Sequence, residues 1–129
     1  MKKVKRGEVY YADLSPAKGS EQDGIRPVVI LQNDVGNQFS PTAIIAIMSR
    51  KTRKNPLPTH VRVKTTGLRY RSTVKLEHIR TIDKSRLLNF VGYLNSSQLK
   101  KIDTALAVSF GLNEVCTKHA TQNGGVDNE

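Results

Sequence analysis

Thr42-Ala43-Ile44-Ile45-Ala46-Ile47-Met48 is an apolar run of strand length that carries no charge. A strand with one wet face alternates polar and apolar residues, so an unbroken run predicts a β-strand buried on both faces. Upstream lies a second apolar run, Arg26-Pro27-Val28-Val29-Ile30-Leu31-Gln32-Asn33, with Pro27 expected at the first strand position. Asp34-Val35-Gly36-Asn37 is read as the turn between the two runs. Downstream, Thr59-His60-Val61-Arg62-Val63-Lys64 alternates strictly and predicts a strand with one solvated face.

Further from the centre, Glu8 to Leu14 has strand composition and ends at Ser15-Pro16. Ala17 to Gly24 is polar and glycine-rich without periodicity, so it is expected as a mobile loop. Ser72 to Glu77 and His78 to Ile82 read as two more strands, and Phe90 to Leu94 as a weaker one. Ser96 or Ser97 is placed to cap a terminal helix with Leu99, Ile102, Leu106 and Phe110 on one face, ending near Gly111. Six or seven short strands with one C-terminal helix predict a mostly β fold, a small and strongly curved antiparallel barrel. The sheet is expected to close or nearly close, because a small domain cannot cover many exposed edges otherwise.

The length, 129 residues, fits one domain. The net charge is +10, and it is uneven: the segment 113–129 holds one Lys against three acids, so residues 1–112 carry +12. The domain is therefore assigned to 1–112, with 113–129 as a polar, disordered tail. The basic surface of residues 1–112 attracts phosphate, nucleic acid first and anionic membrane or acidic protein segments after it. No run approaches the roughly 18 apolar residues of a membrane-spanning helix, and the basic N-terminus leads into no signal core, so a cytoplasmic protein without a membrane partner is expected. The lone Cys116 can form neither an internal disulfide nor a thiolate cluster. His60, His78 and His119 lie in separate segments without paired-carboxylate spacing, so no metal and no cofactor is expected.

What remains is basic and hydroxyl-rich. Between Ser49 and Arg80 there are ten Lys or Arg against one acid, Glu77. Arg62, Lys64 and Lys75 are expected on exposed strand faces as a phosphate-binding surface, with Tyr10, Tyr11 and Phe39 weighed as stacking or core aromatics. Arg26 differs in kind. It stands between a loop able to close over a ligand and a strand that Pro27 stiffens, which suits a phosphate clamp. His60 with His78 is a rival acid–base pair.

Several ordered blocks then decide between readings. Arg6-Gly7-Glu8-Val9-Tyr10-Tyr11-Ala12-Asp13-Leu14, Gly19-Ser20-Glu21-Gln22, Arg26-Pro27-Val28-Val29-Ile30 and Gln32-Asn33-Asp34-Val35-Gly36-Asn37 resemble the MazF/PemK/Kid toxins, the mRNA interferases of toxin–antitoxin pairs. Phe39-Ser40-Pro41-Thr42, Leu57-Pro58-Thr59-His60-Val61 and Glu77-His78-Ile79-Arg80-Thr81-Ile82-Asp83-Lys84 continue the resemblance, which spans about residues 4–112 and is nearest the Gram-positive branch.

The resemblance implies a homodimer of SH3-like barrels that cleaves single-stranded mRNA at a short sequence without a metal, leaving 2′,3′-cyclic phosphate and 5′-OH ends. It implies a cognate antitoxin whose acidic, disordered C-terminal segment wraps the toxin. The family's catalytic arginine, in Gly-x-Arg-Pro, falls on Arg26, and its catalytic threonine falls on Ser49, which keeps the hydroxyl and loses the methyl. The loop acid falls on Glu21, the candidate base. RNA contacts are expected from Lys18, Gln22, Arg50, Lys51, Arg53, Lys54, His60, Arg62 and Lys64. A gyrase poison on the same barrel is the alternative toxin, against which the absence of Trp argues; a non-catalytic RNA-binding barrel is the third reading.

Overall fold

The computed structural model describes residues 3–16, 24–51 and 55–112. Along the chain run β1 (Glu8–Asp13), β2 (Ile25–Ile30), α1 (Asp34–Phe39), β3 (Thr42–Ser49), β4 (His60–Val63), β5 (Ser72–Asp83), a 3-10 turn (Lys84–Arg86), β6 (Leu87–Tyr93) and α2 (Ser96–Phe110). The strands form one antiparallel sheet in the order β4-β5-β3-β2-β1-β6. None of its helices is long and apolar enough to cross a membrane among the described residues.

The apolar run at residues 42–48 is β3, and it lies inside the sheet with Ala43 and Ile45 to Met48 buried. Its side chains feed two cores, as a strand covered on both faces must. Ala46 and Met48 join Val9, Val29, Val61, Val74, Leu76 and Ile102 in one; Ala43, Ile45 and Ile47 join Ala12, Leu14, Val28, Ile30 and Leu87 in the other. The alternation of β4 also holds, with Val61 and Val63 inward and Arg62 exposed.

Four details correct the sequence reading. The supposed turn at Asp34 is the short helix α1, because Asn33 caps it by accepting the Gly36 N–H at 2.8 Å. The two strands expected over 72–82 are one strand, β5. Ala46 pairs with Ile79 and Met48 with Val74, so β5 carries extra residues opposite β3 and bends there. The cap of α2 is Asn95, one residue ahead of Ser96, in a reciprocal capping box with Gln98. Pro27 is the third residue of β2 rather than the first. It is tolerated because the β3 ladder begins only at Val28, leaving no sheet partner on that side.

No ladder joins β4 to β6, so the sheet itself does not close, and contacts from the segment after β4 cover the seam. The segment after β4 lies along β6: the Thr65 hydroxyl donates to the Tyr93 carbonyl at 3.2 Å. A Cβ on Gly67 would sit 1.9 Å from the Val91 carbonyl oxygen, and one on Gly92 would sit 2.3 Å from Thr65 Oγ1. Gly67 thus lets the backbones meet across the seam, and Gly92 leaves room there for the Thr65 side chain. Over one open end lies α2, with Ile102 and Ala105 buried, Leu99 and Leu106 half-buried, and Phe110 exposed at the end of the expected stripe.

Candidate active site

The site begins where two neighbouring strands separate. β2 and β3 are paired through Val28–Ile47, Val29–Ala46 and Ile30–Ile45, and there the ladder stops. Continued two residues, the same register sets Arg26 opposite Ser49. Beyond the stop each strand is held only by its outer neighbour: Arg26 pairs with Ala12 of β1, and Ser49 with Thr73 of β5. Opposed residues of antiparallel strands point to one face. Arg26 and Ser49 accordingly line one groove of about 1210 Å³.

Its other walls are cationic. Arg50 and Lys51 follow Ser49, Arg69 comes from the segment before β5, and Lys75 comes from β5. Five Lys or Arg line the groove and no carboxylate does so among the described residues. The Ser49 hydroxyl oxygen accepts the Lys51 N–H at 3.1 Å, which fixes the hydroxyl's position and leaves its hydrogen to donate elsewhere. Tyr70 is half-exposed under Arg50, whose guanidinium carbon stands 4.0 Å from the ring centroid, with Arg69 at 5.7 Å. Tyr11, also partly exposed, lines the same groove.

The loop between β1 and β2 starts beside this groove. The Leu14 N–H donates to the Gly24 carbonyl at 2.9 Å and ties its base, and Arg86 donates to the Asp13 and Ser15 carbonyls. Gly24 has φ 84°, in the region that L-residues avoid, so the return into Arg26 requires a glycine. Lys18, Glu21, Gln22, Arg53, Lys54 and the tail 113–129 lie outside the described residues.

A second groove, of about 500 Å³, runs between β4 and α2. His60 and Arg62 line it with Arg71, Lys100 and Lys101, so the expected RNA contacts divide between two places. Arg62 donates to Thr73 Oγ1 at 2.9 Å. Lys64 is exposed, donates to the Leu68 carbonyl at 3.2 Å and lines neither groove. The His60 side chain is only 4% exposed and lies 2.8 Å from Glu77 Oε2, while Thr59 donates to Glu77 Oε1 at 2.7 Å. Partial burial alone would raise the Glu77 pKa; the hydrogen bonds from Thr59 and His60 outweigh it and bring the carboxyl to about 2. His78 lines neither groove, so the histidine pair is not assembled around Arg26.

Tyr70 was missed by sequence reasoning. An aromatic between two arginines, Arg69-Tyr70-Arg71, is the pattern that marks a stacking residue in a basic surface. No cluster of His, Cys, Asp and Glu able to hold a metal ion occurs among the described residues.

The chain is similar to several known proteins. Residues 5–110 match a family described as PemK-like, MazF-like toxin of type II toxin-antitoxin system. Endoribonuclease EndoA of Bacillus subtilis is 51% identical over 111 residues, covering 84% of this chain and 96% of that protein. An endoribonuclease from Mycobacterial species, solved in complex with its cognate antitoxin, superposes with TM-score 0.70 at 27% identity over 84% of this chain and 96% of that one. MazF from Deinococcus radiodurans, at 20% identity, shares the fold with TM-score 0.74, over 86% of this chain and 99% of that one.

Proposed function

The chain belongs to the PemK-like, MazF-like toxin family of type II toxin–antitoxin systems, and on that premise we propose that the groove between β2 and β3 is where it cuts single-stranded mRNA. It is a toxin and an endoribonuclease, and the activity is assigned to residues 1–112. One observation supports this site above all: Arg26 and Ser49, from different strands, meet in a groove with five cations and no carboxylate among its described lining.

The chemistry uses the substrate's own 2′-OH. Its oxygen attacks the adjacent phosphorus, the O2′–P bond forms, and the P–O5′ bond breaks. The products are a 2′,3′-cyclic phosphate and a 5′-OH, one proton leaving the 2′-OH and one arriving at O5′. Charge accumulates on the phosphorane in between. Arg26 keeps its proton at any working pH, so its role is to stabilise that charge with fixed donors. Ser49, oriented by the Lys51 amide, donates to a non-bridging oxygen. Glu21 is assigned as the base that takes the 2′ proton. Bases stack on Tyr70 and Tyr11, while Lys18, Gln22, Arg50, Lys51, Arg53 and Lys54 hold phosphates and base edges. No step calls for a metal.

We further infer that two copies form a dimer in the cytoplasm. A cognate antitoxin inhibits it by laying an acidic, disordered C-terminal segment over this cationic surface; a mycobacterial relative was solved with its own antitoxin. Primer extension on a long RNA digested by the protein tests the function. Discrete stops at one short recurring sequence are expected. Intact RNA, or equal cutting by an Arg26→Ala preparation, would overturn it.

A further inference from the structure

We propose that the second groove, between β4 and α2, is an exosite that holds phosphates of the RNA flanking the cleaved bond. The proposal rests on the reading of the first groove as the cleavage site, and it extends the RNA path rather than the chemistry.

Three observations carry it. Arg62, Arg71, Lys100 and Lys101 converge on a concave strip whose floor is Val61 and Ala105, and no carboxylate is among its described lining. The nearby acids already have partners, Glu77 through His60 of this same groove. Asp103, one turn along α2 from Lys100, pairs with Arg6 at 2.6 Å, and Glu77 is held by Thr59 and His60. The third observation is continuity. His60 of the second groove is the cross-strand partner of Lys75 of the first, so their side chains leave the same face of the β4–β5 ribbon. The tripeptide Arg69-Tyr70-Arg71 makes the same passage along the chain, its first two residues in the first groove and the third in the second.

A single strand leaving Tyr70 therefore meets cations on both routes out. Such contacts read charge and not sequence, so they raise affinity for any RNA long enough to reach them. RNA is favoured over an acidic peptide because the groove continues a surface already suited to a polyanion of regular phosphate spacing, with Arg62 and Arg71 facing Lys100 and Lys101 of α2.

The test compares two RNAs with one cleavage sequence: a short oligoribonucleotide confined to the first groove, and the same sequence extended by single-stranded flanks. For Lys100→Glu/Lys101→Glu, kcat/KM on the long RNA should fall roughly tenfold with kcat unchanged. The log–log salt slope of binding should shrink by about 0.7 for each phosphate that the variant no longer neutralises, and the short RNA should be cut as by wild type. Lys3→Glu/Lys5→Glu alters net charge equally in a different groove and should leave the ratio of long to short unchanged. An unchanged ratio in the α2 variant, or an equal fall in both variants, overturns the exosite. Weakened binding of an acidic peptide with the RNA ratio intact does so too, assigning the groove to a protein partner. Failure of wild type to cut either RNA would instead sink the cleavage reading on which the exosite depends.

Discussion

Arg26 falls opposite Ser49 in the register of β2 and β3, two residues past the last ladder pair, Val28 and Ile47. Each is pinned from behind, by Ala12 and by Thr73. The gap between them is thus an opening with two rigid walls, and a phosphate entering it meets a cation on one side and a hydroxyl on the other.

Replacing Arg26 by Ala should slow cleavage by roughly 10²-fold or more, the scale of losing one transition-state donor. Four other cations stay in the groove, so RNA binding should persist. Single-turnover cleavage, with a melting curve to confirm the fold, checks this; a wild-type rate removes Arg26 from its role.

Ser49→Thr keeps the hydroxyl and should remain active. Ser49→Ala should cost roughly ten- to hundredfold, as expected for a hydrogen bond to a charged group. Side-by-side rates decide it: a silent alanine means that the Lys51 amide orients a hydroxyl the reaction does not use.

Cleavage should continue in excess chelator and leave cyclic phosphate ends. End-group analysis of the products is the measurement. Loss of activity with rescue by added Mg²⁺ would refute the 2′-OH mechanism as written.

Glu77 should make stability depend on acid pH. Its folded pKa, about 2, lies below the ordinary 4.5, so its contribution is fully present above about pH 4.5 and is lost as pH falls through about 2. Glu77→Gln should flatten that part of the curve of Tm against pH. The effect should be small, because the carboxylate is partly exposed and solvent screens it. Identical curves for both proteins would disprove the coupling.

Gly67→Ala should destabilise the fold by at least about 1–3 kcal/mol, the ordinary cost of overpacking, because its Cβ would collide with the Val91 carbonyl. Thermal or urea unfolding measures it; an unchanged midpoint would show that the seam can open without cost.

How legible this was depended on range. The Thr42–Met48 run and the Val61–Val63 alternation were readable because burial imprints itself on local composition. Arg26 stood out by its loop–proline context. Its meeting with Ser49 did not, since a register exists only between strands. The bend in β5 hid for a related reason: extra residues opposite Ala46–Met48 break the pattern and read as a strand boundary. Asn95 lost to Ser96 because both are good caps, and only the Gln98 side chain, returning to the Asn95 N–H at 3.1 Å, selects one. Tyr70 lies between arginines, and only folding shows that Arg50 covers its ring.

The glycine seam has a consequence for how the protein survives at high concentration. A sheet that stops short of closure normally exposes a row of unpaired backbone groups, a template on which another chain can add a strand and begin a fibre. Here the Thr65 hydroxyl occupies the Tyr93 carbonyl, and the Gly67 backbone lies against Val91, where an invading strand would have to dock. Mutations that enlarge either glycine should therefore reveal themselves first as turbidity and thioflavin-positive aggregates, before any change in enzymatic rate.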